Sequence, residues 1–282
     1  MKLYLDCYVC ILRQTLFACR QAGVDEETQN EIFFRVMKLL QEADAADPPP
    51  KIVTQVQKFI REKTGCEDPY YAVKNNSTAL ALTLYEDMKK LIESARDPFD
   101  TAVRLSIAGN IIDFGPSENF DLLSSIQDVL AKPYAIDHVS ELKSQIKQAE
   151  TILYLADNTG ETVFDRLLIE QINKPVIYAV KESPILNDAT IEDAQTAGLG
   201  EVAEIISSGA RSPGTVLDYC SEEFLRIYDS ADVIIAKGQG NFEALSNENK
   251  NIFFLLQTKC EILARDVGVP EKSIVAKGAL VK

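Results

Sequence analysis

Hydrophobic positions follow two different periods along this chain, and the change between them divides it near residue 130. Before that point the spacing is helical. Leu5, Val9, Leu12, Leu16 and Phe17 fall on one helical face, as do Ile32, Phe33, Val36, Leu39 and Leu40. The Asp47-Pro48-Pro49-Pro50 run ends the second helix and predicts a stiff joint, because proline fixes φ and removes a donor. A third helix is predicted from about Ile52 to Glu62, stopping near Gly65. A fourth covers Thr78 to Ser94 with Ser77 as its N-cap, and a fifth runs from Pro98 to Ala108, halting at Gly109-Asn110.

Beyond residue 150 helical segments alternate with short apolar runs. These are Thr151–Leu155, Pro175–Val180, Val202–Ile206, Asp232–Ala236, Asn251–Leu256 and Ser273–Ala276. Continuous β-branched runs without polar alternation are strands covered on both faces. Their alternation with helices implies right-handed crossovers and a parallel, doubly wound sheet. The predicted fold is therefore α/β, a Rossmann-like and mostly parallel sheet with helices on both faces. Residues 1–130 form a helical N-terminal subdomain or cap, and residues 131–282 form the α/β core that carries the ligand edge.

Composition narrows the partners. A chain of 282 residues buries enough surface to fold without disulfides. It carries 29 Lys+Arg against 43 Asp+Glu, a formal charge of −14. Such a molecule has no basic field to draw nucleic acid or an anionic membrane. A phosphate ligand would need a local reversal of sign from a metal ion or a few lysines. No apolar stretch approaches the ~18 residues that span a bilayer, and Asp6 interrupts the first residues too early for a secretory leader. The expected setting is the cytoplasm.

Ligands of open α/β sheets bind beyond the carboxyl ends of the strands, and there polar, glycine-bearing loops recur. Asp157, Asn158 and Asp188 make an oxygen-only donor set suited to Mg²⁺ or Mn²⁺. The alternative is that Asp157 caps the following helix and Asp188 the one starting near Ala189. Lys237-Gly238-Gln239-Gly240-Asn241 follows another strand, and its glycines would let backbone N–H groups approach a phosphate; a tight strand-to-helix turn is the other reading. It is neither a Walker A loop nor a full dinucleotide fingerprint, since Glu243 stands at the third glycine's place. Lys259, just past an apolar run, is either a surface lysine or a group pointing into the same crevice.

Six cysteines are present: Cys7, Cys10, Cys19, Cys66, Cys220 and Cys260. Cys7 and Cys10 share one helical face by their spacing. Packing is the expectation for them, with redox or metal roles left open, and the other four are expected as core thiols. A structural zinc site would need two further ligands, and His138 is the one histidine. It follows a predicted Pro133-Tyr134 turn with no evident partner. No nucleophile elbow accompanies it, which argues against a hydrolase triad.

Together, Asp157-Asn158-x-Gly160-Glu161, Pro184-Ile-Leu-Asn187-Asp188, Ser208-Gly-Ala-x-x-Pro-Gly214 and Lys237-Gly-x-Gly-Asn241-Phe-Glu243 resemble the damage-control phosphatases, over essentially the whole chain. Asp68-Pro69-Tyr70, Gly109-Asn110-Ile111-Ile112-Asp113 and Cys7-x-x-Cys10 resemble the branch with an N-terminal cysteine pair. The resemblance implies a divalent-metal-dependent (Mg, Mn, Co or Ni) phosphoric monoester hydrolase. Its substrates would be small phosphorylated metabolites such as sugar phosphates, nucleotides or phosphopantetheine-like molecules, damaged or surplus. By position it implies that Asp157, Asn158 and Asp188 hold the metal, Glu161 contacts substrate, and the Asn241 loop with Gly238 and Gly240 lines the phosphate pocket. Lys259 would bind the transferring phosphoryl group, Lys237 is a second phosphate candidate, and Asn110 and Asp113 approach from the helical part. Cys7 and Cys10 receive no role from it. Two other readings compete: an adenosyl-cofactor methyltransferase, and a non-catalytic metal-binding module.

Overall fold

The computed structural model describes residues 1–109 and 122–281. Among these residues seven strands form one sheet: β1 (Tyr134–Asp137), β2 (Ile152–Leu155), β3 (Val176–Val180), β4 (Glu204–Ser207), β5 (Val233–Lys237), β6 (Ile252–Gln257) and β7 (Ile274–Gly278). Their order across the sheet is β1-β7-β6-β5-β2-β3-β4. The six predicted runs are all strands. β1 is additional: four residues at the sheet edge, alternately half-buried and exposed, it has no apolar run to announce it, and Tyr134 lies in it rather than in a turn.

Strands β6, β5, β2, β3 and β4 are parallel. The prediction of parallel crossovers fails at one place, since β7 runs antiparallel to β6 and β1 follows β7. The connection from β6 does not cross the sheet but closes like a wide hairpin. Thr258 N–H donates to the Ser273 carbonyl at 3.0 Å and Lys272 N–H to the Thr258 carbonyl at 2.8 Å.

The helices are α1 (Leu5–Gln21), α2 (Glu26–Glu42), α3 (Pro49–Thr64), α4 (Tyr71–Ser94), α5 (Pro98–Ala108), α6 (Leu122–Ala131), α7 (Val139–Gln148), α8 (Thr162–Ile169), α9 (Ile191–Thr196), α10 (Glu222–Ser230), α11 (Gly238–Leu245) and α12 (Glu261–Val267). The proline run opens α3 rather than only separating helices. Pro49 and Pro50 occupy its first positions, where an N–H would have no helical partner. Helix α4 starts earlier than predicted, so Ser77 is buried within it rather than standing at its N-cap, which is Tyr70. Tertiary contact overrides the weak helix formers there: buried Lys74 pairs with Asp68 at 2.9 Å and Asp193 at 3.0 Å.

Packing separates the helical part into two groups of side chains. Helices α1–α3 enclose a core of their own, including Ile11, Ile32, Val36, Ile52 and Ile60. Side chains of α4, α5 and α6 instead join α7, α8 and one sheet face, with Ile152, Tyr154, Val176 and Tyr178. Leu153, Leu155, Ile234 and Phe254 form the other face with α10, α11 and α12. Cys19 alone among the six free cysteines is buried; Cys10 is exposed and the rest are half-buried, so the expected core thiols reduce to one. His138 has a partner after all, its Nδ1 accepting from Gly278 N–H at 3.0 Å. No described helix is long and apolar enough to cross a membrane.

Candidate active site

Strand β2 lies between β5 and β3, and the chain leaving its carboxyl end is clipped to the loop that follows β3. Ala189 N–H donates to the Asp157 carbonyl at 2.9 Å, and Thr159 N–H to the Asn187 carbonyl at 2.9 Å. Between these bonds Asn158 and Asp188 form an antiparallel bridge. Backbone pairing, independent of side-chain chemistry, thus brings Asp157, Asn158 and Asp188 onto adjoining segments. The preceding Leu186, held at φ 47, packs against the α1–α3 core and anchors this loop to the helical part.

The capping alternative fails for both acids. Thr190 caps α9 in a reciprocal box with Asp193. A 3₁₀ turn, Thr159–Glu161, precedes α8, and neither its N-cap nor that of α8 bonds through a side chain. Asp157 Oδ2 instead accepts from Asn158 Nδ2 at 3.1 Å and lies against Gly238. A Cβ built on Gly238 would sit 1.8 Å from that oxygen, and the residue has φ +75. Only glycine permits this approach while turning β5 directly into α11. Gly214, at φ +65, packs in the same way on the Gly240 carbonyl, where a Cβ would come within 2.2 Å.

Two buried lysines flank β2. Lys237 is the last residue of β5 and Lys181 follows β3; they are 0% and 2% exposed. Lys181 donates to the Gly214 carbonyl at 2.9 Å and lies 3.5 Å from Asp188 Oδ2. The Lys237 ammonium donates to the Ser106 carbonyl at 2.8 Å, Asp165 Oδ1 at 2.7 Å and Glu161 Oε2 at 3.0 Å. Burial works against its charge, but Asp165 and Glu161 outweigh burial and hold the ammonium above its ordinary pKa. All three of its donors are committed inside the protein, so the structure places Lys237 as an internal counter-ion, away from its expected phosphate role.

Glu161 is likewise occupied, taking Asn158 Nδ2 at 2.6 Å on Oε1 and Lys237 on Oε2. Asn241 is fully buried and ties three segments together. Its Nδ2 donates to the Ala156 carbonyl at 3.1 Å and the Lys237 carbonyl at 2.7 Å, while Oδ1 accepts from Thr215 at 2.8 Å. Its side chain shapes the loop rather than facing a ligand. Gly238 and Gly240 open α11, whose first-turn N–H groups point from the same end of the sheet. Lys259 is half-buried beyond the carboxyl end of β6, two strands from β2. Asn110 and Asp113 lie outside the described residues.

Lys181, Asp165 and the two tyrosines that donate to Asp165, Tyr154 and Tyr178, were missed from sequence. The available signal was a polar residue in an apolar setting: a lysine ending each of two buried strands, and an aspartate within Thr162-Val-Phe-Asp-Arg-Leu-Leu-Ile169. Among the described residues of the buried cluster, Asp157, Glu161, Asp165 and Asp188 set four acids against two lysines, a surplus of two. One divalent cation matches that surplus. Among the described residues no three His, Cys, Asp or Glu side chains converge as a ready-made metal cluster. A metal here would take the Asp157 and Asp188 carboxylates, the Asn158 amide oxygen and water, a partial protein shell typical of Mg²⁺. Surface clefts of about 410 and 250 Å³ lie elsewhere, one at the amino ends of β2 and β5 and one beside Met1 and Phe242.

Comparison with known proteins agrees over the full length. The model of the damage-control phosphatase ARMT1-like domain matches residues 3–275. A damage-control phosphatase of Pyrococcus horikoshii is 38% identical over 294 aligned positions, covering 100% of this chain and 97% of its own. One from Archaeoglobus fulgidus is 33% identical over 285 positions, covering 98% and 99%. The crystal structure of a DUF89 family protein from P. horikoshii superposes with a TM-score of 0.91 at 36% identity, over 99% of each chain. The chain belongs to the damage-control phosphatase family.

Proposed function

We propose that this protein is a divalent-metal-dependent phosphatase that hydrolyses phosphate monoesters of small metabolites. The observation that carries the reading is the backbone clip that sets Asn158 beside Asp188 at the sheet's ligand edge, among buried acids. Asp157, Asp188 and the Asn158 amide oxygen would hold the ion. When bound, it supplies Lewis-acid polarisation of the phosphoryl group and acidifies water. Lys259 neutralises charge on the phosphoryl oxygens, and the N–H groups at Gly238 and Gly240 offer backbone donors to the same group. Glu161 acts on Asn158, with which it already bonds, rather than on substrate. Asp157 serves as ligand and water as nucleophile, so no covalent aspartyl phosphate is required.

The test is phosphate release from sugar phosphates, nucleotides and phosphopantetheine, with Mg²⁺, Mn²⁺, Co²⁺ or Ni²⁺ and after chelation. Release that needs the metal and disappears in a folded Asp157→Ala variant supports the reading. Activity unaffected by exhaustive chelation, or retained in an Asp157→Ala/Asp188→Ala double variant, overturns it. Retention of an adenosyl cofactor without phosphate release would favour a transferase instead.

A further inference from the structure

The proposed chemistry leaves Asp165, one of the buried acids at the strand ends, unused. Asp165 is 0% exposed in α8, set between Phe164 and Leu167 in the core that lies against the sheet. A carboxylate there is unfavourable unless fully bonded, and an apolar residue of similar size would serve packing as well. It is fully bonded. Tyr154 donates to Oδ1 at 2.7 Å and Tyr178 to Oδ2 at 2.8 Å, while Lys237 reaches Oδ1 at 2.7 Å. The two tyrosines pair in register across β2 and β3 and stack with ring centroids 5.2 Å apart. The rigid sheet thereby fixes the acid, and the acid fixes Lys237.

From Lys237 the bonds continue to the metal donors. Lys237 holds Glu161 Oε2 at 3.0 Å, and Glu161 Oε1 takes Asn158 Nδ2 at 2.6 Å. This matters because an amide has two unlike ends. Its oxygen can bind a cation and its NH₂ cannot. Nδ2 is tied to Glu161 and, at 3.1 Å, to Asp157 Oδ2, so the nitrogen is the end of the amide turned to these carboxylates. We propose that Asp165 is a positioning residue of the metal site, acting through Lys237 and Glu161 to keep the Asn158 amide oxygen, rather than its nitrogen, facing the ion. The proposal rests on the metal-site reading above. Without the charge of Asp165, Lys237 keeps the Ser106 carbonyl and Glu161 and draws Glu161 from Asn158, so the amide loses the shorter of the two bonds that orient its nitrogen.

The experiment is titration of the metal-stripped full chain with Mn²⁺ by calorimetry, well below the melting temperature. Asp165→Asn keeps size and should keep the far-ultraviolet spectrum, while Mn²⁺ affinity falls about 10-fold or more, the usual scale for groups behind metal ligands. Adding Lys237→Met to Asp165→Asn should lower affinity no further, since both break one chain of bonds. A structural role alone would lower the melting temperature and leave affinity unchanged. Asp165→Asn that binds Mn²⁺ like the parent, or an additive loss in the double variant, overturns the proposal. If Asp165→Asn does not fold, Tyr178→Phe, which removes one donor and keeps the ring, decides it: weakened binding supports and parental binding overturns. Asp157→Ala separates the two levels. Mn²⁺ binding intact in Asp157→Ala rejects the metal site and the positioning role together, whereas loss in Asp157→Ala with none in Asp165→Asn rejects Asp165 alone.

Discussion

The α1–α3 bundle and the loops at the strand ends are held by opposite kinds of chemistry. The bundle has an aliphatic core and keeps its ion pairs at the surface, as with Lys63 and Glu31 at 2.5 Å. At the strand ends, Lys181, Lys237, Asp157, Glu161, Asp165 and Asp188 are all buried. Burying charge contributes little net stability over a well-packed apolar core and makes the loss of any partner severe. The bundle is therefore built for stability, whereas the strand ends sustain a polar arrangement that packing alone does not require.

That contrast can be broken by substitution. The largest expected effect is on activity: Asp157→Ala or Asp188→Ala should lower phosphate release on the order of 10²–10³-fold or more with folding retained, measured on any substrate the panel identifies. Gly238→Ala comes next. The added methyl would collide with Asp157 Oδ2, and we expect comparable loss of release together with about 1–3 kcal/mol of destabilisation from the positive φ. Lys237→Met should destabilise by about 3–5 kcal/mol in denaturant titration, because two buried acids lose their cation.

A pH experiment sharpens the same comparison. Burial in α11 pushes the Glu243 carboxyl up to about 7, only partly offset by the hydrogen bond from Gln239. An acid whose folded pKa is raised binds its proton more tightly folded than unfolded. Its contribution thus declines as pH rises from the ordinary carboxylate range through about 7. Glu243→Gln should gain on the parent by on the order of 1–3 kcal/mol between pH 5 and pH 8 in paired thermal melts; a constant difference would show that the group does not titrate there. The smallest effect belongs to the bundle, where Lys63→Met should change stability by at most ~1 kcal/mol, as exposed pairs do.

Five of the six apolar runs were legible as strands because burial on both faces leaves few polar residues to confuse them, whereas the sixth, β4, lies at the sheet edge with Glu204 exposed. Burial on both faces also hid the reversal of β7: Ile274, Val275 and Ala276 are buried whichever way the strand runs. β1 stayed unread because a half-exposed edge has no signature in four residues. In the site, Asp157, Asn158 and Asp188 stood out as loop acids and amide following strands. The identity of Lys237 was equally visible, but not its partners. Ser106, Glu161 and Asp165 come from three separate elements, and nothing in local spacing tells a lysine pointing at a ligand from one folded inward. Asp165 itself acquires meaning only when β2, β3, α8 and β5 are assembled around it.

Leu186 carries a consequence of its own. Because this side chain is gripped by the helical bundle while Asp188 stands two residues onward, anything that loosens the bundle also slackens one of the ion's proposed anchors. Gentle heating or mild denaturant would then release the cation while the sheet is still intact, so that catalytic competence would be lost earlier than most of the secondary structure.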